Sequence, residues 1–260
     1  MYLTDTLATA GSSAVGEGED YSANALSTPT RLTNIVEIVA RPFKVTRTQQ
    51  DISHYHGQNE LARQTEKALM EWGNSAEFDL VRSTLVSGAS GTTAKMSGVI
   101  EATSKSTNHT SHTSGTAFSA SILDGLMQNQ WTNSNGNMAT DLFVGAYLRS
   151  VIDGFTQKTN VVVNAPGISS IVRTVSTYET AFGTVTIHKH RYIQVSGTDA
   201  TGRVLAIRPD KLKVAFLKKP FVDKDLARSG DYDFYSVVGK MTLEVHDQNT
   251  AFFADGFYNG

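Results

Sequence analysis

The hydrophobic pattern is most regular between residues 58 and 85, where apolar side chains recur every three or four positions. Charged residues fall between them, and no proline interrupts the run. This is the period of an amphipathic α-helix. At 1.5 Å per residue it predicts one spine helix of roughly 42 Å, long enough to cross its domain. Asn59 is the expected N-cap, and Ser87 with Gly88 the expected end.

The weakest part of this helix is Trp72 to Ser75, which contains Gly73 and Asn74. Glycine costs about 1 kcal/mol relative to alanine inside a helix, and asparagine prefers a cap. The sequence therefore leaves two alternatives open: a single spine, or two shorter helices that meet at this point.

The first 46 residues predict a long β-hairpin with a flexible tip. Leu3 to Thr9 suits a strand, residues 11–30 are rich in glycine, serine and alanine, and residues 31–41 alternate apolar and polar positions. Such a hairpin has little core of its own. We therefore expect it to be ordered by packing on something else.

Beyond the spine, the pattern predicts a Ser/Thr-rich loop over 86–115, then a mixed α/β region, then a mainly β region. The elements expected first are a strand near 96–102, a helix over 116–131 capped at Thr116, a strand over 140–146, a helix over 147–158 and a strand over 161–163. The later strands are expected over Ile168–Tyr178, Gly183–Tyr192, Arg203–Arg208, Lys213–Leu217 and Val237–Val245.

Composition excludes several classes of protein. The formal net charge of −2 comes from 23 basic and 25 acidic residues, so there is no overall basic excess to bind nucleic acid or a membrane surface. Without cysteine there is no disulfide, thiol nucleophile or thiolate metal site. The N-terminus lacks the basic region of a secretory signal, and no apolar run is long enough for a membrane span, so no membrane partner is expected.

Candidate chemistry is sparse. A His-x-His pair on a strand places two imidazoles on one face, as a metal site requires, but neither pair here has a third ligand at motif spacing. The histidine pairs considered are His54 with His56, His188 with His190, and, in the Ser/Thr-rich segment, His109 with His112. We expect no metal and no cofactor.

Two catalytic motifs also fail. The run Gly88–Lys95 lacks the glycine that must precede the lysine of a phosphate-binding loop. No G-x-S-x-G elbow is present, and no pair of carboxylates is set apart in apolar sequence. A hydrolase that uses His188, His190 or a serine is thus the least favoured class, and no catalytic residue is expected.

Charge is distributed unevenly along the chain. Acidic residues mark the tip of the first hairpin, whereas basic residues concentrate near the C-terminal end, mixed there with aspartates. Complementary charge of this kind can fix the register between copies. A mixed, solvated surface explains it equally well. The candidate interface residues are Glu17, Glu19 and Asp20 in the hairpin, and Lys218, Lys219, Lys224 and Arg228 near the C-terminus.

A family resemblance lies mainly in the C-terminal third. Its segments are Val175–Ile187, Val204–Asp210, Leu212–Leu217, Leu226–Asp231 and Val238–Val245. As a series these resemble the major capsid proteins of tailed bacteriophages with the Hong Kong 97 fold. The upstream order is similar too, because the acidic Glu17-Gly-Glu-Asp20 arm and a strand pair ending near Gln49 precede the long helix.

The resemblance implies an α+β fold of four parts. These are an extended loop over 1–46, a peripheral domain over 47–115 with the spine helix 58–85, an axial domain over 116–205, and a return to the peripheral domain over 206–260. It also implies self-assembly through hexamers and pentamers into an icosahedral shell that encloses double-stranded DNA. The expected location is the virion, after assembly in the host cytoplasm, with scaffold, portal and decoration proteins as further candidate partners.

Two features depart from the family. Relatives usually have a further N-terminal arm before the extended loop, whereas here the loop begins almost at Met1, so the sequence gives no basis for interlocking through such an arm. Some relatives cross-link a lysine of the extended loop to a distant asparagine. Residues 1–43 contain no lysine, so we expect no such cross-link from this loop.

Other functions stay open at the level of sequence. An encapsulin-like compartment would have the same fold with a protein cargo in place of a genome. A β-rich surface binding module would use its Ser/Thr/Asn loops to contact sugars and would remain monomeric.

Overall fold

A computed structural model describes residues 2–5, 11–20, 28–51, 59–155, 176–194, 201–224 and 230–258. Within these ranges the helices are α1 Arg47–Asp51, α2 Glu60–Arg82, α3 Val99–Ser104, α4 Ala120–Asn133 and α5 Ala146–Phe155. The strands are β1 Tyr2–Thr4, β2 Thr30–Leu32, β3 Glu37–Thr46, β4 His109–Thr116, β5 Asp141–Val144, β6 Thr177–Thr180, β7 Gly183–Lys189, β8 Gly202–Ile207, β9 Leu212–Asp223, β10 Tyr232–Val245 and β11 Phe252–Phe257. No helix in this part of the chain is long and apolar enough to cross a membrane.

The predicted spine is one continuous helix, α2, with no break at Gly73. Asn59 caps it as predicted, because its side-chain oxygen accepts the Leu61 N–H at 2.9 Å. The helix ends at Arg82, earlier than predicted. Ser83 turns to extended backbone and donates its hydroxyl to the buried carboxylate of Glu37.

The spine packs on a three-stranded antiparallel sheet of order β3-β10-β9. Its buried stripe consists of Ala68, Trp72 and Ala76, which face β3 and β10. The Trp72 indole donates from Nε1 to the Val39 carbonyl at 2.9 Å. This hydrogen bond satisfies the indole N–H, which is buried together with its ring. The long helix and the sheet therefore share one core.

A second, mixed sheet has the order β4-β11-β8-β5-β7-β6. Alternate residues of its strands face opposite sides. On β8, Val204 and Ala206 face the core that α4 and α5 cover, whereas Leu205 joins the core around Trp72. On β11, Phe252 and Phe253 divide in the same way. This sheet therefore contributes side chains to both cores.

Two predictions in the Ser/Thr-rich segment are wrong. Residues 99–104 form helix α3 where a strand was expected near 96–102, because Val99, Ala102 and Thr103 bury one helical face. Residues 109–115 were expected in a loop and Thr116 at the start of a helix, but together they form strand β4, which pairs in parallel with β11. The polar β4 sequence has no apolar alternation, so its strand depends on a partner that is distant in the chain.

Boundaries and one core strand also differ from expectation. Helix α4 begins at Ala120 because Ser119, not Thr116, is its N-cap. Phe118 lies before the helix and is buried against Phe257. The sequence pattern predicts no strand at 252–257, yet β11 lies inside the second sheet between β4 and β8.

Other expected strands are present with shifted ends. Strands β5 and β8 lie within two residues of their predicted ends, and β7 ends three residues early at Lys189. Strand β10 begins at Tyr232, five residues before its predicted start, and β9 continues through Pro220 to Asp223, well beyond its predicted end. The predicted strand over 161–163 and the first part of the one over 168–178 lie outside the described residues. The four-part domain division of the chain stays a prediction.

Candidate assembly surfaces

The first hairpin is present at its base. Strand β1 pairs with β2 in antiparallel register, with Tyr2 opposite Leu32 and Thr4 opposite Thr30. Residues 11–20 are exposed throughout. The structure thus presents this segment, with its acidic residues, as a surface available to another molecule. We call residues 11–20 the acidic arm.

The three predicted acidic residues lie together on this arm. Glu17, Glu19 and Asp20 are all exposed, and the Glu19 carboxylate accepts the Gly16 N–H at 3.2 Å, which fixes a turn. Within the described residues, no lysine or arginine pairs with any of the three. Their charge is therefore not neutralised in this part of the subunit.

Asn34 anchors the root of the arm. Its side-chain nitrogen donates to the carbonyls of Ser97 at 3.1 Å and Leu243 at 2.8 Å. Its side-chain oxygen accepts the N–H groups of Ser97 and Ile35, both at 2.8 Å. All four hydrogen-bonding positions of the amide are used. The chain after β2 is thereby fixed to the segment that follows the spine and to β10.

Glu37 forms a second anchor at the start of β3. Its carboxylate is buried and accepts the Met96 N–H at 3.1 Å and the Ser83 hydroxyl at 3.2 Å. Burial, and then the nearby Glu37 charge, raise the pKa of Asp79 to about 6, with Lys95 and Arg41 opposing the shift. Glu37, at the root of the arm, and Asp79, near the end of the spine, therefore form a pair of neighbouring carboxylates.

Sequence reasoning missed both anchors. The available signal was their polarity, because Asn34 and Glu37 interrupt an otherwise strand-like run. Buried polar groups in native structures are normally hydrogen-bonded. Two such side chains in an apolar strand thus indicate specific partners, although not which ones.

The predicted basic residues fall on β9 and just after it. Lys218 and Lys219 are within the strand, Lys224 directly follows it, and all three are exposed. The Lys218 ammonium lies 3.7 Å from the centre of the Phe221 ring. Arg228 lies outside the described residues. Within the described ranges, no ion pair joins these lysines to the acidic arm of the same chain.

Strand pairing assigns Lys218 to the face of the sheet away from the spine. Lys240 of β10 lies opposite both Lys218 and Ile38, and directly opposed residues share a face. Its neighbour Met241 is fully buried on the spine side. This outer face is both basic and apolar, since Ile38 is 58% exposed there. We call it the outer sheet face.

Strand β9 also exposes apolar side chains. Val214 and Phe216 lie opposite the buried Leu243 and Met241, yet they remain 41% and 44% exposed. The spine packs on β3 and β10, so these β9 residues lie beyond the surface that it covers. Leu217, next to them, is 72% exposed. Apolar clusters on a rim of this kind mark contact surfaces.

A cavity of about 430 Å³ lies on the flank of the spine. It separates α2 from the loop that contains Tyr192. The Tyr192 and Phe78 rings meet edge to face across 5.5 Å. The lining residues are Arg41, Glu71, Asn74, Ser75, Phe78, Asp79 and Tyr192.

The candidate histidines link structural elements. His188 Nε2 lies 2.9 Å from Asp141 Oδ1, and His190 Nε2 lies 2.8 Å from Glu77 Oε1 on the spine. The His109 ring stacks on Phe253, and the His112 ring lies tilted against Phe257. His54 and His56 lie outside the described residues. Among those described, no group of three or more histidine, aspartate or glutamate side chains is arranged to hold a metal ion.

Comparison with known proteins decides between the candidate classes. The family model described as "SU10 major capsid protein" matches residues 1–256. The chain belongs to the SU10 major capsid protein family. This membership confirms the capsid resemblance found in the sequence and makes the chain the shell protein of a phage. A capsid family also indicates a structural role. No curated protein matches this capsid protein in sequence.

Solved structures confirm the α+β fold of the Hong Kong 97 type. The capsid of a native GTA particle is similar with a TM-score of 0.66 at 10% identity, covering 96% of this chain and 82% of its own. The capsid of Myoviridae phage XM1 gives 0.60 at 12% identity, covering 94% and 81%. The SrpI encapsulin of Synechococcus elongatus PCC 7942 gives 0.58 at 11% identity, covering 90% and 77%.

Proposed function

We propose that this capsid protein closes an icosahedral head around double-stranded DNA by laying the acidic arm of each copy onto an adjacent copy. The observation that supports this most directly is the arm itself. Its ten residues are exposed, while its root is fixed by Asn34 and Glu37. A rigid root and an uncovered tip suit a segment whose packing partner is another subunit.

The outer sheet face and the end of β9 form a second proposed contact surface between copies. Lys218, Lys219 and Lys224 supply positive charge, Arg228 is proposed to add to it, and Ile38 supplies apolar area. Exposed ion pairs contribute only about 0–1 kcal/mol each. Closure of the shell then depends on many weak contacts, because each completed contact makes the next one effectively intramolecular.

The proposed cargo is double-stranded DNA held without sequence-specific binding. A net charge of −2 leaves no general basic surface to retain phosphates, which suits a container that must release its genome. Assembly through hexamers and pentamers in the host cytoplasm belongs to the same proposal. So does contact with scaffold, portal and decoration proteins.

Charge reversal of the arm tests this proposal. We expect Glu17→Lys, Glu19→Lys and Asp20→Lys together to abolish or strongly reduce shells seen by electron microscopy, while the subunit keeps its thermal stability. The isosteric control Glu17→Gln, Glu19→Gln and Asp20→Asn removes attraction without adding repulsion, so its defect relative to the wild type should be smaller. That defect should shrink as salt rises, because salt screens the attraction that only the wild-type arm has. A wild-type yield of shells from the reversed variant would overturn the pairing.

A compartment for protein cargo is the second candidate, since the Synechococcus encapsulin shares the fold. The particle contents distinguish the two. Nuclease-resistant double-stranded DNA inside particles purified from an infected host supports the phage head. A co-purified enzyme without DNA supports the compartment.

A further inference from the structure

Arg41 lines the cavity on the flank of the spine, and Arg191 lies beside it, bonded to the lining residues Asn74 and Tyr192. Among the described residues, the side chains that accept hydrogen bonds from these two arginines are neutral. Arg41 enters from β3 and donates to the Ser75 hydroxyl, with its Nε at 3.0 Å. Arg191 donates to the Asn74 side-chain oxygen at 2.9 Å and to the Tyr192 hydroxyl. Within the described residues, neither guanidinium pairs with a carboxylate.

These arginines keep donors available for an anion. A guanidinium has five N–H donors in a planar fork that matches a carboxylate. The Arg191 Cζ lies 4.4 Å from the centre of the Tyr192 ring, a cation–π contact that helps to hold the guanidinium in place. Both arginines are exposed, Arg41 at the cavity and Arg191 beside it, so an incoming acid meets preorganised donors.

Among the described residues, the carboxylates that line the cavity, Glu71 and Asp79, form no direct ion pair with Arg41 or Arg191. The Glu71 Oε1 forms an ion pair with the Lys67 Nζ on the spine, at 3.8 Å. The charged form of Asp79 is disfavoured by burial and by the neighbouring Glu37 charge, while Lys95 and Arg41 act in the opposite direction. His190 is engaged by Glu77. The positive charge of Arg41 and Arg191 is therefore not cancelled by a direct ion pair at the cavity.

The same chain supplies an acid of suitable shape. In the acidic arm, Gly16 and Gly18 flank Glu17, and Glu19 and Asp20 follow, so little side-chain bulk separates the carboxylates. A volume of about 430 Å³ accommodates a few side chains. The narrow arm is thus compatible with entry of one or two carboxylates.

We propose that the acidic arm of one copy enters this cavity on an adjacent copy, where Arg41 and Arg191 bind its carboxylates. The inference rests on the arm crossing proposed above and names its principal acceptor. Arginine binds a carboxylate through two parallel hydrogen bonds, whereas lysine acts as a point charge. A concave site also screens an ion pair less than the open β9 surface does.

Disulfide trapping tests the assignment directly, because the natural chain contains no cysteine. Copies with Glu19→Cys are mixed with copies carrying Glu71→Cys at the cavity wall, assembled and oxidised. The matched mixture replaces Glu71→Cys by Lys219→Cys on β9. A bridge requires Cα atoms within about 4.4–6.8 Å. We expect covalent dimers from the cavity pair and few from the β9 pair. The reverse result, or dimers from neither, overturns the cavity assignment.

A charge experiment covers the case in which the cysteine variants assemble poorly. We expect Arg41→Gln with Arg191→Gln to reduce shell yield about as much as Glu17→Gln, Glu19→Gln and Asp20→Asn. Combining the two sets should add little, because both remove the same contact. Lys218→Gln with Lys219→Gln is the control and should add its effect to that of the arm variant.

The outcomes separate the two proposals. If the arm variant is impaired and the arginine variant assembles normally, arm crossing stands and the cavity assignment fails. If the arm variant assembles normally, both fail. Circular dichroism melts of each unassembled subunit must match the wild type, as expected for exposed side chains.

Discussion

The indole of Trp72 packs directly on the backbone of Gly239. A Cβ atom at position 239 would overlap the ring, and the indole N–H donates to the Val39 carbonyl at 2.9 Å on the adjacent strand. One side chain thus joins the spine to both β10 and β3. The close approach requires glycine at this position because any other residue adds a Cβ where the ring lies.

Gly239→Ala should therefore destabilise the subunit by about 1–3 kcal/mol, the usual cost of overpacking a filled core. Urea unfolding of the unassembled subunit, followed by tryptophan fluorescence, measures the change. An unchanged midpoint would show that the spine does not pack on β10 as described.

Gly73→Ala is the opposite case. A Cβ at this exposed helical position meets nothing within 4 Å. Alanine should stabilise α2 by up to about 1 kcal/mol because it has the higher helix propensity. The same urea titration should show a higher midpoint. A loss of stability would contradict a continuous helix through residues 72–75.

Asn34→Ala should loosen the root of the arm. It leaves the Ser97 N–H and the Leu243 carbonyl without their side-chain partner, at a cost of about 1 kcal/mol because these bonds are only partly buried. Hydrogen exchange measured by mass spectrometry should speed up at residues 30–37 and 95–97. The exposed neighbour gives a control, since Thr33→Ala should leave these rates unchanged.

Asp79 should make stability depend on pH. Its pKa is raised in the folded subunit from 3.8 to about 6, so the folded state binds the proton more tightly than the unfolded state. Stability from this group is therefore present at low pH and is lost as pH rises from about 4 through about 6. Above that range Asp79 destabilises the fold, by about 1 kcal/mol after allowing for its partial exposure.

Asp79→Asn removes this dependence. It should match the wild type near pH 4 and be more stable at pH 8, as measured by urea midpoints across that range. An identical pH profile for the two proteins would contradict the raised pKa of Asp79.

The spine could be predicted from sequence because its information is local. The Trp72 stripe repeats within one helix, and Asn59 supplies its own cap. Strands β4 and β11 could not be predicted in this way. The polar β4 becomes a strand only by pairing with β11, a segment far along the chain. The local pattern of apolar and polar residues does not indicate which distant segment a strand pairs with.

The candidate surfaces show the same division. The charge of Glu17 and Lys218 is visible in sequence, and both are exposed as a contact surface requires. The cavity is not visible, since it forms only when Arg41 of β3 and Tyr192 of a later loop meet on the spine. Asn34 likewise obtains its role from partners at residues 97 and 243.

We propose that copies of this chain close a shell by laying the acidic arm on an adjacent copy. Cryo-electron microscopy of particles assembled from the purified protein tests it most directly. We expect closed icosahedral particles in which residues 11–20 of each copy contact a neighbour. A homogeneous monomer at every salt and protein concentration, or particles whose arms touch only their own chain, would contradict it.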